Sequence, residues 1–317
     1  MILPSIYKNE VICHNITIIY KYLKVKRFNM NICVNLDKNK MEILKKLNEQ
    51  RNQFNNLNKD FFAFYNDLNF VQKHFVKRTV KLLKSNGTYT GYIWINNDSD
   101  NYYKIESLNA NENINLAQNL MVLLKSFSKK NVFFYECEKN DFNYKILKDL
   151  GFTKKQGAIE MCCMLENNFD FKIPESISIK KFKSNLDERK RCYLQNKIFK
   201  TDDRIPLSVQ DIYFDESQEY YFEDGSYFIK LGNQEIGYGQ LIMNNYVPTI
   251  VNFGILDEFR GRGYGKLFIK FFLKLAANKS FDNVFLKVDY TNKTAFNLYS
   301  SVGFKVYKET YTWKLKI

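Results

Sequence analysis

Histidine and proline are nearly absent from this chain, two and four residues among 317. Its six cysteines (Cys13, Cys33, Cys137, Cys162, Cys163 and Cys192) include no Cys-x-x-Cys pair, and only Cys13 has a histidine beside it. Those two shortages argue against a zinc site, and no metal is expected. Cys162 and Cys163 sit in the apolar run IEMCCML and read as buried thiols of a reducing cytoplasm. Long apolar runs are missing too. VICHNITIIYKYL is broken every few residues and has no small-residue cleavage site, so neither anchor nor signal peptide is expected and the location is read as cytoplasmic.

Acidic residues are the minority, 34 against 48 Lys and Arg, for a net charge of +14. Such a balance favours anionic partners: nucleic acid, a membrane surface or a phosphorylated cofactor. No compact Lys/Arg cluster with interleaved aromatics occurs, so nucleic acid is not the expected partner. What is plentiful is aromatic and apolar side chains, 16% and 45%, which excludes a disordered chain. The length suffices for two domains, each with its own core.

The chain repeats itself. NVFFYECEKNDFNYKILKDLGF (Asn131 to Phe152) aligns without a gap to NVFLKVDYTNKTAFNLYSSVGF (Asn283 to Phe304) at a constant offset of 152 residues. Each copy reads as a strand, a short loop, a helix and a Gly-Phe that closes the helix and opens a strand. The expected organisation is an extension at 1–29, a first domain at 30–167 and a second at 168–317, with the seam at Glu166 to Glu175. In the second copy, SISIKKF reads as a strand and Asn185 to Phe199 as a helix. A hairpin turning at Gly232-Asn233 follows, then the strand PTIVNFGIL. Leu267, Phe268, Phe271, Phe272 and Leu275 recur at helical spacing, with Lys266, Lys270 and Lys274 opposite. A further strand with Val284, Leu286 and Val288 and a helix with Ala295, Phe296 and Tyr299 come next, and FKVYKETYTWKLKI supplies the last strands. The class is α/β (α+β), with helices flanking a sheet.

Glycine is also scarce, 13 in all, yet Gly261, Gly263 and Gly265 fall within five residues, between a strand and a helix. A helix start with unpaired backbone N–H groups and a favourable dipole holds anions, and glycine lets the backbone come close. Arg260, Arg262 and Lys266 add positive charge, and a diphosphate is the natural guest. The spacing is neither that of a P-loop nor GxGxxG. It is Arg-x-x-Gly-x-Gly over Arg260, Gly263 and Gly265.

With the RGRGYG turn, NKTAFNLY (Asn292 to Tyr299) and the closing Gly-Phe in this order, the sequence resembles the GNAT superfamily of acyl-CoA-dependent N-acetyltransferases over Ser176 to Ile317. A degenerate first copy extends the likeness to Met30. The resemblance implies two tandem domains, each a mixed, mostly antiparallel twisted sheet flanked by helices. It implies acetyl-CoA as co-substrate, with Ile255 and Leu256 pairing with the pantetheine arm. Arg260, Gly261, Arg262, Gly263, Tyr264, Gly265 and Lys266 would cradle the pyrophosphate, and Asn292 would touch the cofactor. Tyr299 would protonate the departing thiolate, a phenol near 10 suiting a thiolate leaving group. Read without the resemblance, Asn292 equally caps a helix and Tyr299 equally fills a core. Offset by 152, the glycine turn meets LNANEN (Leu108 to Asn113), which has neither glycine nor arginine.

The expected acceptor is a small-molecule or peptide amine. An acidic island (Asp202, Asp203, Asp211, Asp215, Glu216, Glu219, Glu223, Asp224) either draws a cationic one or is a solvated surface. Where many relatives keep a glutamate on the strand before the turn, Thr249 and Asn252 stand, which leaves the general base open among Asp257, Glu258, Glu223 and water. The alternative function is an acyl-CoA-binding pseudoenzyme or sensor without turnover.

Overall fold

The computed structural model describes residues 31–99, 101–110, 116–127, 131–165, 172–202 and 204–317. The expected extension at 1–29, Asp203 and most of the expected seam lie outside the described residues. In chain order the elements are β1 (Asn31–Asn35), α1 (Met41–Glu49), α2 (Phe61–Asn66), α3 (Phe70–Arg78), β2 (Val80–Ser85), β3 (Thr88–Ser99), β4 (Tyr102–Ala110), α4 (Leu116–Lys125), β5 (Val132–Glu138), α5 (Asn143–Asp149) and β6 (Thr153–Met164). There follow β7 (Ile177–Lys181), α6 (Glu188–Ile198), α7 (Val209–Glu216), β8 (Ser226–Leu231), β9 (Gln234–Asn244), β10 (Val247–Ile255), α8 (Tyr264–Asn278), β11 (Asn283–Asp289), α9 (Lys293–Ser300) and β12 (Lys305–Lys316). The last segment is thus one long strand where more than one was expected.

By internal contacts the chain divides into two compact units, one running to Thr153 and including Trp313–Ile317, the other Lys154–Thr312. The division differs from the expected boundary at 167/168 for a reason of pairing. β6 lies antiparallel to β11, from Asn283 opposite Met164 to Asp289 opposite Ala158, so it completes the sheet of the second unit. Trp313, 1% exposed, meets the Tyr144 ring at 5.0 Å in the first unit, and the Ile317 N–H donates to Asn131 O.

In the first unit β1, β2, β3 and β4 pair antiparallel and β5 joins β4 in parallel. In the second, β7, β8, β9 and β10 pair antiparallel, β11 joins β10 in parallel, and β6 follows. Each unit is therefore a mixed, mostly antiparallel sheet flanked by helices. The second sheet carries a core on each face. On one side Phe268, Ile269, Phe272, Leu273 and Ala276 of α8 pack with Val284, Leu286 and Tyr299. The buried stripe of α8 is turned by about one residue from the expected one, and Leu267, Phe271 and Leu275 flank it. On the other side α6 and α7 cover Phe182, Phe228 and Tyr238.

The sequence repeat is a geometric repeat. The Asn140 side chain accepts from the Asn143 N–H, and Asn292 accepts from Ala295, the same bond at the same offset. Gly151 and Gly303 both take positive φ, 86° and 105°, and the Phe after each donates back into its helix, to Leu147 and Tyr299. Glycine closes a helix in this left-handed conformation at no steric penalty.

Candidate acyl-donor site in the second unit

β10 and β11 are paired only at Thr249–Phe285 and Ile250–Leu286, and beyond Ile250 they diverge. A bulge in β10 between Val251 and Gly254, with Asn252 at φ 51°, shifts its register against β9. After the bulge Ile255 lies opposite Gly237, and the Leu256 N–H donates to Ile236 O at 2.8 Å. Such a bond flanks a non-hydrogen-bonded pair in an antiparallel ladder, so the N–H and C=O of Ile255 face away from β9, into the opening. The carbonyl accepts from Arg260 Nε at 2.8 Å. Of the two backbone positions expected to meet a pantetheine arm, only the Ile255 N–H is therefore directed at the opening. The Leu256 N–H is already bonded.

The glycine turn follows a short 3-10 turn at Asp257–Phe259. Gly261 and Gly263 have φ of 76° and 85°, and a Cβ at either would meet no atom within 4 Å. These glycines answer to backbone conformation, and they leave open space over the start of α8. Gly263 is the N-cap of α8 and has no side chain to bond the free N–H groups of the first turn. Gly265 is a different case, since a Cβ there would lie 3.2 Å from the Leu298 side chain of α9. Arg262 lies over the Phe259 ring at 5.9 Å, and Arg262 and Lys266 are exposed. Tyr264 is half-buried.

Arg260 is placed otherwise than expected. Besides its bond to Ile255 O, its Nη2 donates to Ile198 O at the end of α6 at 3.1 Å, and Nη1 pairs with Asp257 at 2.7 Å. All three nitrogens brace the turn, which leaves Arg262 and Lys266 as its exposed basic side chains. Asn292 caps α9 with its side-chain oxygen at 3.0 Å from Ala295 N. Tyr299 is 8% exposed and packs at 6.1 Å from Phe253 and 6.0 Å from Phe304. Burial alone pushes its phenol up to about 12. The hydroxyl makes no hydrogen bond to protein among the described residues.

The acidic island is largely engaged with its own unit. Asp211 caps α7 through Ser208, Asp215 pairs with Arg191, Glu216 accepts from Ser184, and Asp224 bridges Lys181 and Lys279. Among the candidate bases, Asp257 is tied to Arg260, while Glu258 and Glu223 are exposed.

The first unit has the same opening, closed by its own chain. β4 pairs with β5 only from Tyr102–Val132 to Ile105–Tyr135. Beyond it, Asn58 bonds both backbone groups of Leu108, donating to its O at 2.9 Å and accepting from its N–H at 3.1 Å. The Lys59 N–H donates to Glu106 O, and Asn55 bridges Glu136 O and the Glu138 N–H. These pairings also correct the comparison with LNANEN. Leu108–Ala110 are strand residues, and Asn111–Asn113 lie outside the described residues. Sequence reading missed Asn55 and Asn58 because asparagines in a loop carry no mark of what they will bond. It likewise passed over Arg191 and Gln240, which lie beside the bulge.

Residues 189–304 match the model of the Acetyltransferase (GNAT) family. No curated protein matches the chain. Among solved structures, a GCN5-related N-acetyltransferase from Sphaerobacter thermophilus is 13% identical, covering 90% of this chain and 95% of its own, with a TM-score of 0.52. A GNAT-family acetyltransferase from Colwellia psychrerythraea is 12% identical over 90% of this chain and 99% of its own, TM-score 0.47. A tandem GNAT protein from the clavulanic acid biosynthesis pathway is 11% identical over 90% and 98%, TM-score 0.44. At such identities the likeness is one of fold, and it is the family match that carries the assignment. No described helix is long and apolar enough to cross a membrane. Residues 189–304 are a domain of the GNAT acetyltransferase family.

Proposed function

We propose that the chain is an N-acetyltransferase that moves the acetyl group of acetyl-CoA to a primary amine by direct transfer in a ternary complex. The observation that carries this reading is the Ile255 N–H facing the opening between β10 and β11, beside a left-handed glycine turn at the start of a 15-residue helix. The residues fit the co-substrate. Open space over Gly261 and Gly263 admits a diphosphate against the first N–H groups of α8, where the helix dipole favours negative charge. Bound acetyl-CoA would supply the activated thioester. The Ile255 N–H would donate to the thioester carbonyl as charge builds there. Tyr299, which keeps its proton at any working pH, would donate a hydrogen bond to the departing sulfur. With its phenol near 12 and a thiol near 8.5, complete proton transfer would be uphill. The sequence suggested a phenol that matches the thiolate's basicity, and the buried tyrosine is better suited to stabilising the thiolate by a hydrogen bond. Asn292 and Leu256 support the site through cap and ladder, and Arg260 holds the turn.

One site per chain is the expectation. The domain boundaries adopted are those of the two units, with the first a degenerate copy whose cleft is filled by Asn55 and Asn58. Burial of Tyr299 favours one rival, a binder without turnover. Calorimetric titration with acetyl-CoA tests the reading. A stoichiometry of one, abolished in Gly263→Asp, is the expected result, and amine screening by thiol release follows. Two sites would contradict the closure of the first cleft, and no binding would overturn the transferase. In the rival case Tyr299→Phe would change nothing measurable beyond stability.

A further inference from the structure

Beneath α6 and α7 the second unit buries a chain of polar side chains that the transfer described above does not use. Arg191, 1% exposed, donates from Nη2 to Asp215 Oδ2 and to Gln240 Oε1, at 2.5 and 3.1 Å. Gln240, fully buried, donates from Nε2 to Asp215 Oδ2 at 3.2 Å. Tyr220 donates its hydroxyl to Asp215 Oδ1 at 2.8 Å. Asn252, at the β10 bulge, donates from Nδ2 to Gln240 Oε1 at 3.2 Å.

The polarity of this chain is dictated by its charged ends. A guanidinium only donates and a carboxylate only accepts. Gln240 bonds both, so its oxygen faces Arg191 and its nitrogen faces Asp215. The reverse orientation would set N–H against N–H and oxygen against oxygen. With Gln240 Oε1 fixed, Asn252 can meet it only through Nδ2. The Asn252 Oδ1 is therefore turned the other way, and it makes no hydrogen bond to protein among the described residues. The bulge places this half-buried side chain on the α6–α7 face, since it reaches Gln240, while the next residue, Phe253, packs on Phe268 at 5.4 Å across the sheet. Asn252 and Ile255 are three positions apart, at most about 11 Å of chain.

We propose that Asn252 Oδ1 receives an N–H of the acceptor amine, and that Gln240, pinned between Arg191 and Asp215, is the positioning residue that keeps this oxygen, not the amide nitrogen, toward the amine. The inference rests on the acetyl-transfer reading. An amide oxygen accepts a hydrogen bond without taking the proton, so it orients the nitrogen lone pair and does not act as a base. The amine must arrive neutral. As the C–N bond forms and the C–S bond breaks, the second amine proton leaves to water and the thiolate takes a proton from water. The substrate class is accordingly a primary amine with a sizeable neutral fraction at working pH, rather than a strongly basic ammonium drawn by the acidic island.

The test is acetyl transfer to hydroxylamine, a small nucleophile neutral at pH 7, read by thiol release, with acetyl-CoA titrated calorimetrically into every variant. Asn252→Ala and Gln240→Leu are expected to bind acetyl-CoA as the parent does and to lower kcat/KM for hydroxylamine about tenfold, the loss of one well-placed hydrogen bond. Asn252→Asp, which has no amide nitrogen to turn inward, is expected to retain most of the transfer. Parent-like kcat/KM in Asn252→Ala would overturn the inference, and so would acetyl-CoA binding without transfer to hydroxylamine in the parent. Failure of the parent to bind acetyl-CoA would instead overturn the transferase reading. Should Gln240→Leu not fold, the half-exposed Asn252 variants carry the test alone.

Discussion

Tyr299 is held by packing, and the proposed transfer would use the same side chain. Its ring is fixed between Phe253 and Phe304, and burial raises its phenol to about 12 from an ordinary value near 10. A raised folded-state value gives stability that is complete below pH 10 and is lost as pH climbs from about 10 to about 12, because the unfolded chain releases the proton first. Tyr299→Phe is therefore expected to flatten the fall of unfolding free energy over that window by about one proton's worth of slope. Urea denaturation at pH 9, 10 and 11 would measure it. Tyr220 and Tyr311, also raised to about 12, maintain the remaining slope in the variant. An unchanged slope would mean the phenol is not desolvated in the folded protein.

At the scale of elements, the two diverging strand pairs contrast sharply. In the second unit the gap after Ile250–Leu286 leaves the Ile255 N–H facing outward, and the bulge at Asn252 is what turns it there. In the first unit the corresponding gap is sealed by two asparagines that imitate backbone, each pairing a donor and an acceptor. Asn58 is 5% exposed, so its removal strands both polar groups of Leu108 in the interior. Asn58→Leu is expected to destabilise the first unit by about 2–4 kcal/mol, from two unsatisfied backbone groups. Acetyl-CoA stoichiometry should stay at one. Thermal melting with the calorimetric count checks both halves. A rise to two sites would show that the plug alone had been excluding the ligand.

At the scale of the whole chain, the units do not follow the order of the sequence. β6 belongs by sequence to the first copy and by pairing to the second unit, while Trp313–Ile317 end in the first. A fragment of residues 168–317 is therefore expected to be poorly soluble, because it lacks β6 and exposes the edge of β11. A fragment beginning at Lys154 should be better behaved, and circular dichroism with size-exclusion chromatography would distinguish the two. Equal behaviour would show that β6 contributes little to the second sheet. Loss of Trp313–Ile317 removes a buried tryptophan from the first unit, a change of about 3–5 kcal/mol by comparison with truncations of buried aromatics.

Much of this was legible beforehand, for local reasons. Periodicity and turn chemistry located β7 to β11 and helices α6, α8 and α9 of the second unit, since each is set by residues close in sequence. The repeat from Asn131 and Asn283 was legible because its cap and its Gly-Phe closure are local bonds. Gly261, Gly263 and Gly265 announced a close-approach turn at a helix start for the same reason, and the order of the motifs indicated the family. Tertiary structure decided what depends on partners distant in the chain. It drew Arg260 onto Ile198, 62 residues away, and so turned an expected phosphate ligand into a brace. It buried Arg191 against Asp215 and Gln240, and so gave Asn252 a direction. It placed β6 beside β11, because a strand's partner is chosen by the sheet edge within reach and not by its place in a repeat. Sequence determines the conformations each segment can take, and long-range hydrogen bonds and burial determine which polar groups remain for a substrate.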